Sequence, residues 1–135
     1  MRCNYYNIGD FFEDDKILIF GTSILVERLC QAERIYMDGT FHSSPKLFTQ
    51  LYTLHCRVGE KVFPMIYALL PDKTMETYKR SLNGVKGIAK NLNLQFKPSE
   101  FVIDFEYAMM SAIEDIWSNP RIRGFFILRR VSGER

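Results

Sequence analysis

Two short apolar runs each lead into an aspartate, and this repeated pattern constrains the fold more than any other feature of the 135-residue chain. The first run, from Arg34, ends at Asp38, and Gly39 follows directly. The second run, from Phe101, ends at Asp104. Apolar runs of this length without strict alternation are typical of strands that are covered on both faces of a sheet. The sequence therefore predicts two buried strands, each ending in a carboxylate.

The two carboxylates are predicted to lie side by side. If the strands are parallel neighbours, both side chains emerge at the same edge of the sheet, where ligands collect in open α/β sheets. Adjacent carboxylates repel each other unless a cation lies between them, and oxygen ligands favour a hard cation such as Mg²⁺ or Mn²⁺. Asp38 and Asp104 are therefore the predicted metal ligands. Asp38 alone, before Gly39, would indicate only a turn.

The remaining pattern predicts an α/β chain in three segments. Residues 1–33 form an N-terminal segment with a short helix, residues 34–128 form the core, and residues 129–135 form a basic tail. Within the core we predict five strands and two helices, with strands over residues 34–38, 47–58, 61–70, 100–104 and 122–128 and helices over 75–92 and 106–118.

These strands are predicted to form a five-stranded mixed sheet flanked by helices. Numbered along the chain, the strands take the order 3-2-1-4-5, because right-handed crossovers return the fourth strand beside the first. Pro64 places the third strand at an edge, since proline cannot donate to a sheet ladder.

Composition narrows the classes of protein without identifying one. The net charge of +2 is too small to indicate nucleic-acid binding by itself, although residues 121–135 carry five arginines against Glu134. That basic end is compatible with phosphate contacts, and a solvated terminus explains it equally well. The three cysteines are odd in number and lack C-x-x-C spacing, which argues against a disulfide framework or a structural zinc site. With no signal peptide and no membrane-length apolar run, we expect a soluble, intracellular protein without a membrane partner.

Four short words of the sequence resemble the transposase domain of Mutator-like elements (MULE), and the similarity extends from about Lys16 to about Leu128. The words are Met37-Asp38-Gly39-Thr40-Phe41, Phe48-Thr49-Gln50-Leu51-Tyr52-Thr53, Tyr67-Ala68-Leu69-Leu70-Pro71-Asp72-Lys73-Thr74 and Asp104-Phe105-Glu106. The order of strands and helices, with paired aspartates, is similar to that of the ribonuclease-H-like fold.

The resemblance implies a DDE-type transposase core that cleaves and transfers DNA strands. In that family three acidic residues hold two divalent metal ions, Mg²⁺ or Mn²⁺, and the partner is DNA at the transposon ends. One ion lowers the pKa of the attacking water or 3′-hydroxyl, and the other stabilises the leaving oxygen. The resemblance assigns Asp38 and Asp104 as the first two catalytic acids. It also implies a nuclear protein.

The chain departs from the family pattern at its C-terminal end. Family members usually carry a cysteine and a histidine after the glycine of the last strand, and Gly124-Phe125-Phe126-Ile127-Leu128 has neither. The family's third acid is a glutamate on a helix well downstream, and Glu134 lies in a tail too short for that helix. We therefore expect a partial, C-terminally incomplete core that is inactive as this chain. The alternative is a domesticated or remnant module that binds DNA or protein without catalysis.

Other polar residues have simpler explanations. Glu106 is predicted to be an acid at a helix start rather than a ligand, and Trp117 a core anchor rather than a base-stacking platform. His42 is expected to be solvated and His55 to pack or form hydrogen bonds on a strand face. The arginines near the end of the chain fit DNA phosphates or solvent equally well: Arg121, Arg123, Arg129 and Arg130.

Overall fold

A mixed β-sheet carries three helices in the part of the chain that the computed structural model describes, namely residues 4–8 (backbone only), 16–40, 50–104 and 106–124. The strands are β1 Asn4–Ile8, β2 Ile17–Gly21, β3 Arg34–Thr40, β4 Gln50–Val58, β5 Lys61–Leu70, β6 Glu100–Ile103 and β7 Arg121–Gly124. The helices are α1 Ser23–Gln31, α2 Met75–Asn91 and α3 Tyr107–Ile116.

Among the described residues, the sheet has seven strands in the order β1-β2-β5-β4-β3-β6-β7. The predicted five-stranded sheet is therefore wrong, because β1 and β2 extend it beyond β5. The predicted neighbours are nevertheless paired in the series β5, β4, β3, β6 and β7. β3 pairs with β6 and β6 with β7 in parallel, whereas the other pairs are antiparallel.

The prediction that Pro64 marks an edge strand is also wrong, because β5 lies between β2 and β4. β2 pairs only with the distal part of β5, from Tyr67 to Leu69, so Pro64 lies outside that ladder. On the other side, Pro64 is opposite His55, where a register shift interrupts the β4–β5 pairing. The missing proline N–H therefore falls where one ladder is absent and the other is irregular.

Asp38 does not end its strand as predicted. β3 continues to Thr40 because antiparallel β4 pairs with it beyond the parallel ladder to β6, matching Asp38 with Thr53 and Gly39 with Tyr52. Asp104, in contrast, follows β6 directly. The two carboxylates thus have different backbone surroundings, one within a strand and one at the start of a loop.

The three helices enclose one apolar core against the sheet. α1 contacts β4 and β5, while α2 contacts β2, β5 and α3. α2 begins as predicted at Thr74, whose side chain accepts a hydrogen bond from the Thr77 N–H at 3.2 Å. Among the described residues, no helix has both the length and the apolar character that crossing a membrane requires.

Gly87 weakens α2 without a packing reason. A Cβ at this position would meet no atom within 4 Å. We expect Gly87→Ala to raise the free energy of unfolding by about 0.5–1 kcal/mol, because alanine loses less backbone entropy in a helix than glycine. Urea unfolding followed by circular dichroism measures the change, and a variant less stable than the parent would contradict the described helix surface.

Candidate functional site

The two predicted aspartates are brought together by the parallel pairing of β3 and β6. Arg34 is opposite Glu100, and Tyr36 is opposite Val102, so paired residues differ by 66 positions. Asp38 and Asp104 differ by the same 66 positions (104 − 38). Continuing this register by two residues would set Asp38 level with Asp104 on the same side of the sheet, where Asp104 directly follows the end of β6. Both residues are partly buried, and the Oδ1 atom of Asp104 is shielded from solvent.

The pKa of a buried tyrosine near the two aspartates is affected by several acidic groups. Tyr52, on β4, is 4% exposed and lies opposite Gly39. Its pKa is raised well above the usual value, first by burial and then by the neighbouring groups Tyr78, Glu106, Asp104 and Asp38. Both aspartates and Glu106 therefore act electrostatically on one hydroxyl, which remains neutral at physiological pH.

A buried hydrogen-bond relay extends from β4 to the loop after β6. Gln50 Nε2 donates to the Tyr78 hydroxyl at 2.9 Å, and that hydroxyl donates to Glu106 Oε2 at 2.7 Å. Gln50 is 1% exposed and Tyr78 is fully buried. Burial raises the pKa of Tyr78 above its usual value, so the hydroxyl keeps its proton and can donate a hydrogen bond. The relay fixes Glu106, whose backbone N–H also donates to the Asp104 carbonyl at 2.6 Å.

Glu106 is thus at the helix start that the sequence predicted, yet it does not cap the helix. It immediately precedes α3 and makes no side-chain capping hydrogen bond. Its carboxylate instead accepts from Tyr78. Sequence analysis missed Gln50 and Tyr78; the available signals were a glutamine within the predicted strand 47–58 and a tyrosine within the apolar stripe of the predicted helix 75–92.

Gly39 lets the side chains of Gln50 and Tyr52 approach its backbone closely. It does not form the turn that its sequence context suggested. A Cβ at Gly39 would lie 2.6 Å from Gln50 Oε1 and 3.2 Å from the Tyr52 ring. Contacts as short as 2.6 Å do not occur for real Cβ atoms, so a larger residue must displace a buried neighbour. The glycine beside Asp38 therefore lets the relay lie directly against β3.

His55 lies on β4 opposite Tyr36, beside the candidate site. Burial lowers its pKa, while backbone hydrogen bonds and the charge of Asp38 oppose the shift. Its half-buried position and these hydrogen bonds agree with the packing role expected from sequence. His42 lies outside the described residues, as do Arg129, Arg130 and Glu134.

Arg123 pairs within the protein. It forms an ion pair with Glu100, which also pairs with Arg34 at 3.2 Å. This network lies at the opposite end of β6 from Asp104. Arg121 is exposed at the start of β7. Trp117 packs on Phe101 with ring centroids 4.9 Å apart, as expected for an anchor, but it is only half-buried and its remaining surface lines a cavity.

The donor set fits a divalent cation only in part. Asp38 and Asp104 offer the oxygen ligands that Mg²⁺ and Mn²⁺ prefer, from adjacent positions. Within the described ranges, however, no group of three or more histidine, cysteine, aspartate or glutamate side chains is arranged to hold a metal ion. The described residues thus provide two candidate carboxylate ligands, whereas the resemblance implies three acids for two ions.

The fold and the site define a mixed α/β domain with one aspartate within β3 and another directly after the parallel neighbour β6. The MULE transposase domain family model matches residues 34–127, a range that includes both aspartates and more than half of the chain. The chain therefore belongs to the MULE transposase domain family, which confirms the resemblance found in the sequence. No curated protein and no solved structure matches the chain significantly. Its function is thus transposase-related.

Proposed function

We propose that this chain is the partial catalytic core of a DDE-type transposase with a ribonuclease-H-like fold, acting on DNA at transposon ends in the nucleus. The observation that supports the proposal most is the parallel register of β3 and β6, whose 66-residue offset equals the separation of Asp38 and Asp104. The family membership supports DNA as the partner. The order of the five core strands, with helices α2 and α3 as connections, supports the fold.

In this proposal, the carboxylates of Asp38 and Asp104 would hold a divalent cation, Mg²⁺ or Mn²⁺. A bound ion of this kind supplies an activated water or hydroxyl and stabilises negative charge on a leaving oxygen. The chain's own residues supply position: β3 and β6 fix the carboxylates, and the relay from Gln50 through Tyr78 fixes the loop between Asp104 and α3. The buried Tyr52 lies near enough to both carboxylates for their charges to act on its hydroxyl.

The number of acidic ligands limits how many metal ions the chain can hold and therefore which reaction it can catalyse. Two metal ions need a third acid, and the described residues do not gather one with the pair. We therefore propose that the chain binds one ion and does not turn over DNA by itself. The same observation favours the alternative function, a non-catalytic module that binds DNA or protein.

Mn²⁺ binding followed by electron paramagnetic resonance tests the proposal. We expect the parent to bind Mn²⁺, and Asp38→Asn and Asp104→Asn each to weaken binding by about tenfold or more, or about 1.4 kcal/mol, because each variant replaces one of two charged ligands by a neutral amide. Glu60→Gln, an exposed acid in the β4–β5 turn, is the matched control and should bind as the parent does. DNA binding that ignores both chelator and Asp104→Asn, together with no Mn²⁺ signal, would favour the non-catalytic module.

A further inference from the structure

A cavity lined by three lysines, the lysine cavity, lies away from the paired aspartates. It has a volume of about 440 Å³ and is formed by the last turns of α2, the loop before β6 and Trp117 at the end of α3. Tyr78 reaches the carboxylate site from the first turns of α2, whereas Lys86 and Lys90 lie 8 and 12 residues further on. At 1.5 Å per residue, these lysines are roughly 12–18 Å along the helix from Tyr78.

The cavity combines a cationic rim with an apolar floor. Three lysines line it, Lys86, Lys90 and Lys97, and no acidic residue does. None of the three forms an ion pair with a carboxylate among the described residues. The floor includes Phe96, which is 3% exposed, and Trp117, with Leu94 beside them. A nucleotide unit, with one phosphate and one flat base, requires this pairing of charge and aromatic surface.

Interactions that stabilise the folded protein account for only some of the three lysines in the cavity. Cations in the last turn of a helix interact favourably with its dipole, which accounts for Lys90. The ammonium group of Lys86 lies 5.4 Å from the centroid of the Trp117 ring, a cation–π contact. Lys97 lies beyond the helix in the loop before β6, so neither explanation applies to it. Its charge adds to the rim without an evident structural benefit.

The walls of the cavity are held in place. At the end of α2, the Leu94 N–H donates to the Ala89 carbonyl at 2.8 Å, and the Asn93 N–H to the Lys90 carbonyl at 2.9 Å. Asn93 has a φ of 62°, as this type of helix ending requires. On the facing side, Trp117 Nε1 donates to the Phe96 carbonyl at 3.3 Å. A ligand would thus meet a largely preformed site.

A second cavity is less suited to an anion. It has a volume of about 390 Å³ and contains Arg34 and Arg57, but Glu33 and Glu100 line it too. Arg34 already pairs with Glu100. Of these two cavities, the lysine cavity therefore carries the larger excess of positive charge.

We propose that the lysine cavity binds single-stranded nucleic acid, with a base against Trp117 and backbone phosphates on Lys86, Lys90 and Lys97. This site is separate from the paired aspartates. It rests on the proposed function only for the choice of DNA as the strand. The site would hold a strand at a second point of the domain, independently of metal.

The only tryptophan of the chain lines the cavity, so its fluorescence reports occupancy directly. We expect single-stranded oligothymidylate, titrated in the presence of EDTA, to quench Trp117 saturably. Lys90→Glu with Lys97→Glu should weaken binding at least about tenfold and reduce the salt slope by about 1.4, because each phosphate that a lysine neutralises adds about 0.7 to that slope. Lys61→Glu with Lys73→Glu, both at exposed positions, gives the same net charge and should bind as the parent does. Circular dichroism confirms that both double variants are folded.

Several outcomes would overturn the proposal. These are no saturable quenching in the parent, equally weakened binding in the two double variants, or equal quenching by polyglutamate or inorganic phosphate at matched concentration. Asp104→Asn separates this site from the metal site: it should bind oligothymidylate as the parent does, even if no variant or parent binds Mn²⁺. Loss of oligothymidylate binding in Asp104→Asn would place the strand at the aspartates instead and refute the cavity.

Discussion

Replacing Tyr78 by phenylalanine is expected to lower the free energy of unfolding by about 1–3 kcal/mol. The substitution keeps the ring in the core and removes only the hydroxyl that links Gln50 to Glu106. Gln50 Nε2 would then retain only its longer hydrogen bond, 3.4 Å, to the Asp72 carbonyl. A buried donor with a poor partner costs most of its desolvation penalty, and the carboxylate of Glu106 loses its 2.7 Å donor as well.

The loss should depend on pH in a defined direction. Burial is the largest cause that raises the pKa of Tyr78, and the hydrogen bond to Glu106 and the charge of Glu106 raise it further. The hydrogen bond from Gln50 lowers it. A group whose pKa is higher in the folded state than in the unfolded state contributes its full stability below the unfolded-state pKa, which is about 10 for tyrosine. That contribution is lost as the pH rises above this value towards the folded-state pKa. The difference between parent and Tyr78→Phe should therefore stay constant from about pH 6 to 9 and shrink above about pH 10.

Tyr107→Phe is the matched control, because Tyr107 is 81% exposed at the start of α3. Urea unfolding should place this control within about 0.5 kcal/mol of the parent. Equal stability of Tyr78→Phe and Tyr107→Phe would show that the relay does not stabilise the fold.

Gly39→Ala is expected to destabilise the domain by about 1–3 kcal/mol, the usual cost of inserting a methyl group into a packed region. The new Cβ would displace Gln50 Oε1, 2.6 Å away, and press on the Tyr52 ring at 3.2 Å. Both neighbours are buried, and Gln50 begins the relay to Glu106, so the displacement cannot be absorbed by solvent-facing side chains. The damage should therefore reach the loop after Asp104.

Gly87→Ala provides the comparison, because the same chemical change meets no atom there within 4 Å. In the same unfolding experiment, Gly39→Ala should have a lower free energy of unfolding than the parent and Gly87→Ala a higher one. A Gly39→Ala variant as stable as the parent would mean that Gln50 and Tyr52 can move aside freely, contrary to the packing described.

The sequence predicted the part of the fold that local pattern controls. The apolar runs before Asp38 and Asp104 indicated two strands, which the structure forms as β3 and β6. Thr74 was recognisable as a helix cap because a threonine precedes an amphipathic stretch. These features depend on neighbouring residues, so they can be inferred without knowing the tertiary contacts.

What the sequence did not predict depends on contacts between distant residues. β1 begins in an aromatic and acidic stretch without periodicity, and only its pairing with β2 makes it a strand. The partners in the relay, Gln50, Tyr78 and Glu106, are separated by 28 positions at each step. Gly39 followed an aspartate, which suggested a turn, whereas its true constraint is the approach of Gln50 and Tyr52 across the sheet.

The most direct test of the metal site is thermal unfolding of the chain with and without millimolar Mn²⁺, beside Asp104→Asn. A ligand that binds only the native state stabilises it, by about 2.7 kcal/mol when its concentration is one hundred times the Kd. We predict a cooperative transition that Mn²⁺ raises in the parent and in Glu60→Gln, but not in Asp104→Asn. A cooperative parent transition that is indifferent to Mn²⁺ would contradict a metal site at Asp38 and Asp104.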